Sequence, residues 1–406
     1  MLEKWLLPPH TEPVALRLLI GRSLRAFVDG YVAVLLPAYL LALGLGTWEV
    51  GFLASSTLLG SALLTIAVGI WGHRFSQQRL LRGAAVLMFS TGLLFAFQTE
   101  FWPLFIIAFI GTLNPSAGDV SVFLPLEHAR LAAGASGNAR TALYARYSLL
   151  GTLCAAFGAL AAAAPQWITH TYAIDALWAL RGMFVFYGVV GGIIWWLYRK
   201  IPITPLPHHT SPTPLGPSRS IVFKLAALFS LDAFAGGLMV NALLALWLFQ
   251  RFELSLAMAG VFFFWAGLLT ALSQLLAPWL AKRIGLLNTM VYTHIPANIC
   301  LILAAFSPTL PVALIFLLVR SALSQMDVPT RTAFVMAAVT PAERAAAASF
   351  TAVPRSLAAA ASPTLGGALL ATGWLAAPLV ACGVLKIVYD VLILVAFRRT
   401  KLHDHK

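Results

Sequence analysis

Residues 311–331 read PVALIFLLVRSALSQMDVPTR, an apolar run that ends in Arg320, Asp327 and Arg331. Such a run belongs in an interior, where an ionised group costs several kcal/mol unless it is paired or hydrated. The composition says which interior. Sixty per cent of the 406 residues are hydrophobic and only 10% are charged, and mean hydropathy is +0.87. A soluble domain is nearer half apolar and a quarter charged, so the solvent for most of this chain is a bilayer.

Scanning outward for apolar runs of about 20 residues, the length that crosses a hydrocarbon core, predicts twelve spans. They lie near 26–45, 49–71, 80–99, 102–125, 141–164, 180–198, 223–249, 255–280, 286–306, 309–328, 344–371 and 374–397. The stretch 309–338 reads as one long helix or as two pieces. Backbone groups in lipid must be satisfied within the segment, so these runs are helices. The expected fold is all-α and integral to the membrane, with twelve transmembrane helices in two six-helix bundles.

The opening segment, with Pro8, Pro9 and Pro13, is expected to be a retained cytoplasmic lead-in (1–25). With both termini inside, the cytoplasmic segments hold 21 of the 27 Lys and Arg, Arg25, Arg130 and Arg331 among them, whereas the outer loops hold Arg181 and Arg251. That bias orients the chain. It also accounts for the net charge of +13 through anionic lipid rather than nucleic acid. Cys154, Cys300 and Cys382 sit alone in apolar spans, so neither a metal site nor a disulfide is expected. His294, the lone intramembrane histidine, reads as a hydrogen-bonded packing residue.

Residues 199–220 are rich in Pro, Ser and Thr and read as a linker (199–222) between bundles at 26–198 and 223–398, with a cytoplasmic tail at 399–406. The same pattern appears on both sides of it. Asp29 answers Asp232; Gly51 answers Gly260; the loop at Arg74 answers that at Arg283. GDVS at Asp119 answers MDVP at Asp327, and Arg146 answers Arg355. Five landmarks at near-constant spacing indicate a duplication. Parallel-repeat carriers place the substrate site between their halves near the midplane.

With twelve spans, a duplication, a long middle loop and basic loops after spans 2 and 8, the chain resembles the major facilitator superfamily over essentially its whole length. The family's loop motif survives in part as Gly69 to Arg74 and as Lys282-Arg283-Ile284-Gly285, with His73 and Lys282 where the family has Asp. Arg74 and Arg283 therefore read as inside anchors. The antiporter motif of span 5 is missing; a variant, Ser362-Pro363-Thr364-Leu365-Gly366-Gly367, stands in span 11.

Intramembrane charges mark function by default. Asp119, Arg146, Asp327 and Arg355 form a repeated Asp-then-Arg and are read as a cytoplasmic gate, paired within and between halves. Asp29 and Asp232 are candidate proton sites, with a hydrogen-bonded structural role equally open. Arg320 has Thr112 in its place in the first half and is the candidate for holding an anionic substrate group, or a counter-charge for an embedded Asp. Lys386 and Asp390, four apart, are expected to neutralise one another. Asn114 beside Pro115, and Asn241 after Gly236-Gly237, mark interrupted helices that would line a cavity or move. Tryptophans at span ends (Trp71, Trp102, Trp167, Trp178, Trp374) read as interface belts, and Trp265 as core, with cavity lining the alternative.

No phosphate-cradling loop, nucleophile elbow or ATPase-sized domain is present, so the expected function is secondary transport without a cofactor, by a monomer, and not enzymatic. Proton-coupled export of drugs or metabolites is the first reading. Uptake or facilitated passage of an organic anion is the second, and a transport-fold sensor a minor third. Twenty Arg against seven Lys suggest a GC-rich bacterial source and its inner membrane.

Overall fold

The structure, a computed structural model, describes residues 7, 11–116, 121–134, 137–202, 216–340 and 343–398. Among them every regular element is helical. The first eight helices are α1 Val14–Ala42, α2 Thr47–Trp71, α3 Gln77–Phe97, α4 Phe101–Ile110, α5 Phe123–Ala133, α6 Gly137–Leu160, α7 Ala164–Tyr172 and α8 Ala176–Tyr198. The next eight are α9 Arg219–Gly237, α10 Asn241–Phe252, α11 Leu256–Ile284, α12 Leu286–Ala305, α13 Leu310–Leu323, α14 Asp327–Ala338, α15 Arg344–Ala371 and α16 Ala377–Phe397. Contacts divide the chain into two compact units, Met1–His208 with Leu254–Phe264, and His209–Glu253 with Trp265–Lys406.

Ten helical segments among the described residues are long and apolar enough to cross a membrane, against the twelve expected. The expected crossings outside that set are span 4, which is broken, and α15. At 10 residues, α4 rises only about 15 Å, half a hydrocarbon core. The chain leaves the helix at Gly111, and at Asn114 the side-chain oxygen accepts the Ser116 N–H at 3.1 Å and its hydroxyl at 2.8 Å. An Asx-type bond ahead of a proline competes with helix continuation. The other expected interruption is also present: α9 ends at Gly237 and α10 begins at Asn241. Span 10 is two pieces, α13 and α14.

The packing within each unit repeats. In the first, α1 lies on α6 and α3 on α8; in the second, α9 lies on α15 and α12 on α16. Spans 1 and 5, and 3 and 6, thus pair in the same way as spans 7 and 11, and 9 and 12. The crossings are close because glycine permits it. A Cβ on Gly158 would stand 1.9 Å from the Phe27 carbonyl oxygen, and one on Gly366 2.2 Å from that of Leu238. The small-residue motif of span 11 therefore seats α15 against the end of α9. Gly366→Leu is expected to destabilise the purified protein by at least about 1–3 kcal/mol, the usual cost of overpacking. Gly69→Ala, where a Cβ meets open space, is the neutral control in the same melting experiment.

The outward surface is apolar, as lipid requires. The end-of-span Trp71, Trp102, Trp167, Trp178 and Trp374 are all more than half exposed, as an interface belt needs. Trp265, expected in the core, is 50% exposed. The loop anchors Arg74 and Arg283 are exposed, and Arg283 stacks over the Trp279 ring at 4.1 Å. Gly285 turns the chain at φ +88°, a conformation that favours glycine.

Outside the spans, the Glu343 carboxylate accepts bonds from the Ser218 and Thr340 hydroxyls and the Gly216 N–H, and these donors hold it below the usual carboxylate range. This ties the end of the linker to the turn before α15.

Candidate functional site

The second unit carries a buried charge cluster assembled from three helices. Asp232 on α9 is its hub: one oxygen accepts Lys386 Nζ of α16 at 2.6 Å, the other Arg331 Nη1 of α14 at 2.9 Å. The same Arg331 nitrogen lies 3.3 Å from Asp327, one helical turn away. Asp232 and Asp327 are each 5% exposed or less. The apolar side of the cluster is closed by Phe229, whose ring centroid is 5.6 Å from the Arg331 guanidinium. One stripe of α14 produces this: at its start Asp327 and Arg331 pair, with Arg331 reaching α9, and further along Phe334, Val335 and Ala338 join the apolar core.

Two expectations are corrected here. Lys386 does not neutralise Asp390; it crosses to Asp232, and Asp390 instead meets His294 Nδ1 of α12 at 2.9 Å and 3.1 Å. Arg331 is not a lipid-facing anchor but 7% exposed and doubly paired. The helical i,i+4 rule sees only one helix, whereas here a carboxylate on a neighbouring helix comes closer.

The cationic surplus of this unit sits on α13 and α15. Arg320 Nε is buried without a hydrogen-bond partner, and among the described residues no acidic group forms an ion pair with it; the titratable group facing it is Cys382. Arg355 Nε is likewise buried without a partner. The charges acting on Arg355 are Arg331, which repels it, then Asp232 and Asp327, neither at ion-pair distance.

The first unit answers with a smaller network that the sequence reading did not identify. Glu127 on α5, with 0% exposure, accepts Arg25 of α1 at 2.5 Å and 3.0 Å. It also accepts the Tyr147 hydroxyl of α6 at 2.5 Å and the Tyr198 hydroxyl of α8. Arg25 stacks over Phe123 at 4.1 Å. Neither Arg25 nor Arg130 is a free cytoplasmic charge: Arg130 reaches Glu12 at 2.7 Å. The available signal was Glu127 itself, an acid four residues after Phe123 at the end of a hydrophobic run.

Of the other expected site residues, Asp29 lies half-buried on α1, its charge acting on Tyr31 and on Tyr187, which is bonded to Thr112. Thr112 and Asn114 sit in the break after α4, and Asn241 opens α10. Arg146 is on α6, with Nη1 buried and unbonded. Asp119 lies outside the described residues. The structure thus brings together Asp232, Asp327 and Arg331, with Arg355 within electrostatic range, and holds Asp29 and Arg146 in a separate unit.

A sequence model of the Major Facilitator Superfamily matches residues 18–326. The chain belongs to the major facilitator superfamily. It is therefore a multi-pass membrane transporter of small molecules and not an enzyme. A Saccharomyces cerevisiae sequence described as an uncharacterized membrane protein is 23% identical over 92% of each chain. Among solved structures, a bacterial homolog of the human lysosomal transporter Spinster, inward-facing and occupied, matches with TM-score 0.76 and 16% identity over 97% of this chain and 98% of that one. The xylose transporter XylE of E. coli matches with TM-score 0.74 and 15% identity over 93% and 95%. The human organic anion transporter TETRAN matches with TM-score 0.65 and 17% identity over 95% and 100%. The facilitator fold explains why α1 with α6 and α9 with α15 share one pairing: each is the same pair of spans in a repeated bundle.

Proposed function

We propose that this facilitator is a secondary transporter moving an organic anion across a cell membrane by alternating access. The observation that carries the reading is Arg320: a cation on a membrane helix, its Nε buried and unbonded, while Asp232 and Asp327 of the same unit are already paired with other cations. A buried guanidinium recovers its desolvation cost only from an anion or from several acceptors, and a substrate carboxylate supplies both. Arg355 is a second cation of this kind. Twelve spans, cytoplasmic termini, a monomer in a bacterial inner membrane and the division into bundles at 26–198 and 223–398 go with the proposal. Asp119, Arg146, Asp327 and Arg355 are proposed as charges that exchange partners through the cycle, since rocking needs contacts that differ between states.

A second reading, proton-coupled export of drugs or metabolites, is supported by Asp29, a carboxylate on α1 against the buried Tyr31 and Tyr187.

A thermal-shift panel of anions, lipophilic cations and neutral solutes separates the two. A ligand at 100 times its Kd stabilises by about 2.7 kcal/mol. Anions are expected to raise the melting temperature of wild type and of Asp29→Asn, and to lose that effect in Arg320→Gln. Anionic shifts that persist in Arg320→Gln defeat the anion site. Cationic or neutral hits that vanish only in Asp29→Asn support the exporter.

A further inference from the structure

His294 and Asp390 take no part in the anion reading, yet they form the closest carboxylate–imidazole contact among the described residues. His294 Nδ1 on α12 faces both oxygens of Asp390 on α16, at 2.9 Å and 3.1 Å, and the two residues are 3% and 1% exposed. We propose that this pair is a proton-binding site whose occupancy decides which carboxylate holds the Lys386 ammonium.

The argument begins with charge. Histidine is the side chain whose ordinary titration falls between pH 5 and 8. With one proton more than a neutral imidazole and a carboxylate hold between them, the pair is neutral overall, and it makes no demand on its neighbours. Without that proton, Asp390 is a buried anion whose partner is an uncharged ring, a costly arrangement in a low-dielectric interior. A cation that can answer it is Lys386, one helical turn back along α16, where an i,i+4 contact is within reach. In this structure the ammonium is instead on Asp232 at 2.6 Å.

Lys386 therefore has two carboxylates available, one on its own helix and one across on α9. The proton tips the balance between them. Protonated, the pair leaves Lys386 on Asp232 and keeps α16 tied to α9. Deprotonated, it draws the ammonium to Asp390 and leaves Asp232 to Arg331 alone. A local charge change thus biases a contact between two membrane helices, as in other protonation switches.

The surrounding groups belong in the same balance. On α16, Tyr389 stands between the two charged residues; its hydroxyl is buried without a hydrogen-bond partner, and its ring lies edge-on 6.2 Å from that of His294. On α12, Asn298 donates to the His294 carbonyl at 2.9 Å. From α14, Arg331 and Asp327 act on Tyr389 and Asp232, and from α15 Arg355 acts on the same centre. From α13, Arg320 acts on Cys382, one turn before Lys386. His294 and Asp232 also sense one another's charge, so proton and ammonium are linked and the groups titrate together.

The inference rests on the transporter reading for its use, but its test needs no substrate. Protein labelled with nitrogen-15 histidine, in detergent micelles, is titrated from pH 5 to 9 by NMR, with His294 assigned by the signal missing in His294→Gln. The expected result is a His294 signal that titrates within that window. Asp390→Asn is expected to displace the midpoint by about one pH unit or more, and Lys386→Gln to displace it as well. A wild-type signal that stays flat overturns the proton site. An unchanged midpoint in Asp390→Asn overturns the pair, and one unchanged in Lys386→Gln overturns the lysine switch. Should Asp390→Asn fail to fold, Asp390→Glu, which keeps the charge at a changed distance, supplies the comparison. Loss of anion binding in Arg320→Gln with this titration intact would separate the two proposals.

Discussion

Asp232→Ala lowers the stability of the purified protein by about 3–5 kcal/mol, the cost of leaving buried charge without its partner. The side chain itself is small; what it strands decides the effect. Lys386 loses the carboxylate it bonds at 2.6 Å, and Arg331 keeps Asp327 at 3.3 Å. Removing the cations with the anion reverses the sign of the argument. The quadruple variant Asp232→Ala, Asp327→Ala, Lys386→Met, Arg331→Met removes both carboxylates with both cations and replaces charge by apolar volume, which is commonly neutral or stabilising. It is expected to recover most of the melting temperature while losing the exchangeable contact between α9 and α16. Thermal unfolding in one detergent checks both parts. A single Asp232→Ala whose melting temperature falls by less than about 2 °C would show that the cluster is hydrated rather than buried.

The second large effect is expected at Glu127. Glu127→Ala takes the bidentate carboxylate from Arg25, 2% exposed, and removes the acceptor of two tyrosine hydroxyls, so a loss of about 3–5 kcal/mol is expected again. Glu127→Gln separates charge from hydrogen bonding. It keeps an acceptor for Tyr147 and Tyr198 but not the neutralisation of Arg25, and should fall between wild type and Glu127→Ala. If Gln and wild type melt together, the network is held by hydrogen bonds alone. Tyr147→Phe is the mild member of the series, expected to cost about 1 kcal/mol for a hydroxyl whose partner keeps other donors.

The two networks differ in a way that bears on function. Glu127 gathers one cation and two neutral donors. Asp232 gathers two cations, one of which already touches Asp327 and the other of which lies a turn from Asp390. Partners with alternatives are what a switch needs. The second unit therefore carries the proposed proton site.

Much of this was legible in the sequence because the physics behind it is local. Sixty per cent apolar residues in runs of about 20 require lipid, lipid requires helices, and Asn114-Pro115 and Gly236-Gly237 interrupt helices wherever they occur. The recurrence of Asp29 at Asp232 and of Arg146 at Arg355 exposed the duplication without any coordinates. Crossing count was less legible: Asn114-Pro115 marks the interruption, but nothing in the apolar run says that α4 ends after ten residues.

Charge partnership was settled only by the tertiary structure. Spacing on one helix pointed Lys386 at Asp390, and the inside-basic pattern pointed Arg331 and Arg25 at lipid. Each instead turned inward to a carboxylate on another helix: Asp232 for Lys386 and Arg331, Glu127 for Arg25. A bilayer sets which residues may be buried by their own chemistry, one helix at a time. Which buried cation meets which buried anion depends on the approach of helices far apart in the chain, and at 3 Å in a low-dielectric interior that approach outweighs any preference written along a single helix.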